Sequence, residues 1–174
     1  MTVELVETFE ASLDALDVTR TRTAPEGLGD ALREAVVEPV VGAPLPFDGL
    51  SLPDWVRTHP TAGELQDART GVTAAAGGIA EYGTLVVQSR PGGDEPASLY
   101  PERHVAVLRS ADLVAGVSEA LAFLREEFAA GRDSAVFATG MSATGDMGEM
   151  VRGVHGPREV HVVIVESGAG GDER

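Results

Sequence analysis

Residues 104–138, HVAVLRSADLVAGVSEALAFLREEFAAGRDSAVFA, decide the fold class. The run His104–Leu108 is apolar on both of its alternating sides, the pattern of a strand buried on two faces. Ser110 then stands where an N-cap is expected. Leu113, Val117, Leu121, Leu124 and Phe128 follow at three- and four-residue spacing, which predicts a helix with one apolar stripe. Gly131 sits at its expected C-terminal cap. Ser134–Ala138 is again a short apolar run and predicts a second buried strand. Strand, helix, strand with doubly buried strands predicts a mainly parallel sheet covered on both sides.

The pattern extends outward from that unit. Upstream, Thr84–Gln88 is another β-type run. Gly71–Ala80 is small and glycine-rich, and Gly92–Glu95 is a polar turn. Val6, Phe9, Leu13 and Leu16 mark an amphipathic first helix whose other face carries Glu4, Glu7, Glu10, Asp14 and Asp17. Val18–Thr23 predicts a strand. Pro25 opens a second helix striped by Leu28, Leu32 and Val36, which Pro39 ends. Residues 42–60 form an irregular connection with a short strand, and Thr61 to Glu64 has the spacing of a capping box. Downstream, residues 139–146 form a loop, residues 143–151 a helix, and Val160–Val165 the final strand.

Composition bounds the function. The 174 residues suit one domain. There is no cysteine, so disulfides, thiol nucleophiles and thiolate-held clusters are outside this chain's chemistry. The formal net charge is −15, and every basic side chain other than histidine is arginine. Such an acid excess disfavours nucleic acid and anionic membrane surfaces. It also predicts adaptation to high salt, where the screening length falls to about 3 Å and crowded carboxylates are tolerated. A GC-rich genome would explain the missing lysine but not the acid excess. No apolar run approaches a membrane span, and Met1–Glu10 has no secretory pattern, so a cytoplasmic location is expected.

Four places could carry chemistry. Glu81 stands among small and apolar residues just before a strand, as a nucleophile, base or ligand contact, or as a carboxylate accepting backbone hydrogen bonds at a turn. His104 and His155 lie beside Gly/Pro turns, where each serves a site or is simply hydrogen-bonded; their spacing implies no metal site. The run Thr139–Asp146 can offer N–H groups and hydroxyls to an anion, or can be an ordinary turn. It lacks both the P-loop lysine and the dinucleotide glycine order. Glu81, His104, His155 and Ser142–Asp146 are expected to converge beyond the carboxyl ends of the strands.

Gly71-Val72-Thr73 with Ile79-Ala80-Glu81-Tyr82-Gly83-Thr84-Leu85-Val86 resembles the central signature of the LUD-domain family, whose members include the lactate utilization protein C group. Ser98-Leu99-Tyr100-Pro101-Glu102-Arg103-His104-Val105-Ala106-Val107 resembles a second family segment. There, Glu102 and Arg103 follow the first proline where the family usually has another proline. Gly153-Val154-His155-Gly156-Pro157-Arg158-Glu159-Val160-His161-Val162 resembles a third. The signature region is 71–165 within one LUD domain over 1–174. Thr139–Glu149 departs from the family loop by extra glycine but keeps Ser142, Thr144 and Asp146.

The resemblance implies a three-layer α/β/α sandwich similar to the sugar-phosphate isomerase and CoA-transferase group. It implies an accessory role in oxidising L-lactate to pyruvate, beside iron–sulfur and oxidoreductase-like partners, with no cofactor in this chain. Glu81-Tyr82-Gly83 is also similar to the E-x-G around the nucleophilic glutamate of some CoA transferases. That makes a transferase or isomerase for a phosphorylated or CoA-linked metabolite the alternative. The candidate site is thus Glu81 as the catalytic residue. Gly83, Thr84, Ser98, His104, Ser142, Thr144, Asp146, His155 and Gly156 would contact a small anionic ligand.

Overall fold

A computed structural model describes residues 2–146 and 148–166, except the side chain of Asp146. In chain order the first elements are α1 (Thr2–Ala15), β1 (Thr19–Thr23), α2 (Leu28–Ala35), β2 (Val40–Gly42), β3 (Arg57–Thr58) and α3 (Ala62–Asp67). Next come β4 (Thr70–Ala74), β5 (Gly77–Ile79), β6 (Thr84–Gln88), α4 (Asp94–Leu99), β7 (Arg103–Arg109) and β8 (Leu113–Val114). The last are α5 (Val117–Ala129), β9 (Ala135–Thr139), β10 (Ala143–Asp146), β11 (Glu149–Arg152) and β12 (Glu159–Val165). No helix among the described residues is long and apolar enough to cross a membrane.

Six strands form the central sheet in the order β1-β12-β7-β4-β2-β3, and every pairing within it is parallel. Helices lie on both sides, giving the expected three-layer α/β architecture. Alternation along β7 and β12 divides the core. Ala106, Leu108, Val162 and Ile164 meet Phe9 and Leu13 of α1 on one face. Val105, Val107, Val163 and Val165 meet Leu28 and Leu32 of α2 on the other. The predicted capping box is present: Thr61 Oγ1 accepts from Glu64 N at 3.3 Å, and Glu64 Oε2 accepts from Thr61 N at 2.7 Å.

The strand-helix-strand unit departs from its reading in two ways. β9 does not join the central sheet. It pairs antiparallel with β6, in a second sheet of order β8-β5-β6-β9. As an edge strand it leaves Val136 and Phe137 exposed rather than buried. The helix also starts late. Leu113 and Val114 first pair with Gly78 and Ile79, so the apolar period is broken before α5 begins. Ala120 and Leu124 are buried on α5, while Val117, Leu121 and Phe128 face outward.

One further reading is corrected. Residues 143–152 hold no helix but a hairpin in which β10 pairs antiparallel with β11. Glycine-rich 71–80 supplies two strands. At Gly71 a Cβ would lie 1.7 Å from the Ala97 carbonyl oxygen, so the absent side chain lets α4 rest directly on β4.

Candidate functional site

A cavity of about 200 Å³ lies between the two sheets. Residues 85 and 87 of β6 point to one side, and their partners across the ladder are Ala138 and Val136 of β9. These four side chains and Val160 form an apolar wall. His104 borders the cavity from the second position of β7, and Ser98 and Leu99 close it from α4. Gly140–Ser142 and His155–Pro157 form the remaining side. Those two loops are tied together: Ser142 N donates to Pro157 O at 3.0 Å, and Gly153 N donates to Ser142 O at 2.9 Å.

Its polar groups are few. His104 is 3% exposed, and its Nε2 lies 2.8 Å from Thr73 Oγ1. Burial pushes its pKa down to about 4, so the ring is neutral at pH 7. It can exchange a hydrogen bond with a bound molecule, but it offers no positive charge there. The Ser98 hydroxyl donates to Glu95 O at 2.8 Å, and Ser89 Oγ donates to the Glu95 carboxylate. No arginine among the described residues lines the cavity. An apolar wall with a few convergent polar groups suits a small organic molecule.

The structure therefore gathers Ser98, His104, Ser142, His155 and Gly156 in one place. The place lies at the amino ends of β7 and β12, not beyond their carboxyl ends. Glu81, Gly83, Thr84 and Thr144 do not line it. Glu81 is exposed on a single 3-10 turn, its N–H donating to Ala115 O at 3.1 Å. Gly83 has φ +61°, and a Cβ there would come within 3.2 Å of Leu13 N on α1. Thr84 Oγ1 meets Thr139 Oγ1 at 2.7 Å and joins β6 to β9. Thr144 and Asp146 lie in β10, and the side chain of Asp146 is outside the described residues. Sequence reasoning missed Leu85, Val87, Val136, Ala138 and Val160 as lining residues. Only the register of β6 on β9, and for Val160 that of β12 on β7, shows which of their alternating positions face inward.

With this geometry in hand, comparisons with known proteins are informative. The family profile described as LUD domain matches residues 59–165. A protein named lactate utilization protein C from Deinococcus radiodurans is 34% identical over 80% of this chain and 66% of its own length. Another of that name from a Geobacillus species is 30% identical over 58% of this chain and 43% of its own. This chain thus spans less than two thirds of either. The crystal structure of a DUF162 family protein from Deinococcus radiodurans superposes with a TM-score of 0.71. It covers 95% of this chain and 98% of that one at 23% identity, a likeness of fold.

Proposed function

This chain belongs to the LUD-domain family, and from that premise we propose that it is an accessory subunit of a lactate-oxidising system, with its redox centres held by partner proteins. The observation that carries this reading is the 34% identity, over 80% of the chain, to a protein named for lactate utilization. Its chemistry is consistent with that role. Lactate oxidation releases two electrons, and without cysteine this chain has no thiolates to hold an iron–sulfur cluster. The cavity between the sheets is its working site, with His104 as a neutral hydrogen-bonding group beside an apolar wall. The partners implied are iron–sulfur and oxidoreductase-like proteins.

The test is an absorbance spectrum and a lactate-dependent dye-reduction assay, on the isolated chain and then with the proteins encoded beside it. The isolated chain is expected to be colourless and inactive, with dye reduction appearing on addition of the partners. A bound chromophore together with lactate-dependent reduction by the chain alone would overturn the proposal.

A further inference from the structure

A second pocket lies on the same amino-terminal edge of the central sheet, lined by Val37, Arg69, Glu102, Arg103, Arg158 and Glu159, with a volume of about 180 Å³. Three arginines around one pocket are unexpected in a chain of net charge −15. Most of the other arginines among the described residues are paired with carboxylates, as in Arg22 with Glu10 and Arg132 with Glu127. Arg69 and Arg158 are not: neither side chain has an ion pair or hydrogen bond among the described residues. Arg103 is engaged on one side, its Nη2 lying 2.5 Å from Glu159 and its Nη1 donating to Ala35 O at 2.9 Å. Its Nε is buried without a hydrogen-bond partner.

The backbone holds these groups in place. Arg158 N and Glu159 N both donate to Glu102 O, at 2.8 and 3.1 Å, and Arg103 N donates to Arg69 O at 3.0 Å. The three segments that carry the charges are thereby fixed to one another before anything binds.

We propose that this pocket is a binding site for a small monocarboxylate. The charge balance selects the class. Arg103 and Glu159 neutralise each other, leaving two guanidinium groups against the single carboxylate of Glu102. The remaining charge of +1 matches one negative charge and leaves a dianion under-compensated, beside a repelling carboxylate. A planar carboxylate also matches the fork of a guanidinium in two parallel N–H···O bonds. The site is distinct from the cavity between the sheets, which no arginine among the described residues lines. It does not depend on the accessory-subunit reading.

Amide chemical-shift titrations with acetate, and separately with inorganic phosphate at pH 8, at fixed ionic strength, test the assignment. Acetate is expected to shift the amides of residues 102–103 and 158–159 saturably, and to bind more tightly than phosphate. Arg69→Gln and Arg158→Gln are each expected to weaken acetate binding by about tenfold, the effect of losing one charge-assisted bond. Glu102→Gln should raise the affinity for phosphate, because it removes the repelling carboxylate. All three side chains are exposed, so these variants should keep the wild-type amide spectrum elsewhere. Shifts that are scattered and non-saturating, or that persist unchanged in both arginine variants, would overturn the site. Tighter binding of phosphate than of acetate to the unmodified protein would overturn the monocarboxylate assignment.

Discussion

At the scale of single residues, two histidines make the protein sensitive to acid. His104 is held neutral by burial beside Thr73. His161 is kept neutral first by burial and then by the charge of Arg103; its Nδ1 and Nε2 lie 2.8 and 3.1 Å from the hydroxyls of Thr19 and Thr21. Both have pKa values of about 4 in the folded protein, against an ordinary 6.5. The unfolded chain therefore binds more protons between those values. The stabilisation is complete above pH 6.5 and is lost as pH falls towards 4, by at most roughly 1.4 kcal/mol per pH unit for each histidine. Chemical denaturation at pH 7 and pH 5 should show the loss, and a His161→Gln variant should show a shallower pH dependence. Equal pH slopes in the two proteins would count against His161 as a contributor. Glu127 acts in a lower window, because hydrogen bonds from Arg132 and then Gln88 hold its pKa at about 2. Its contribution falls away only below the ordinary carboxylate range.

At the scale of elements, the contact of α4 with β4 is the tightest constraint described. A methyl group at Gly71 would collide with the Ala97 carbonyl, a backbone atom that cannot turn aside. Gly71→Ala should cost about 3 kcal/mol or more, read as a lower denaturation midpoint. Gly63→Ala is the contrasting case: it sits in α3 with nothing within 4 Å, and alanine there should gain about 0.5 kcal/mol. The elements legible in the sequence were those with local signals. The stripe of α1, the Thr61–Glu64 box and the apolar run of β12 each declare themselves within a few residues. β5, α4 and the β10–β11 hairpin do not, because glycine and proline dilute their patterns and their pairing partners lie elsewhere in the chain. β9 was legible as a strand but not as a member of the second sheet, since an apolar run does not encode which neighbour it will pair with. The same limit governs the candidate site. His104, His155 and Ser142 could be singled out by type and by adjacent turns, whereas the apolar wall needs the register of β6 on β9, and the arginine pocket needs three distant segments to meet.

At the scale of the whole molecule, charge and connectivity dominate. The net −15 leaves a self-repulsion that the arginine pairs only partly offset. Added KCl screens both the repulsion and the exposed pairs, but the uncompensated carboxylates outnumber the pairs' contribution, so the melting temperature should rise from low to molar salt. A flat or falling series would remove the high-salt reading. Connectivity acts on a different property. β12 lies between β1 and β7, and Thr19 is in register with His161, so the first strand reaches the rest of the sheet only through the last. During synthesis, α1 and β1 emerge well over a hundred residues before the strand that joins them to the core. Such a pairing must close a long loop, which makes folding slow. The apolar face of α1 can be covered by residues 80–82 and 110–114 as they emerge, but Val160, Val162 and Ile164 complete that cluster only once residues 159–165 have left the ribosome.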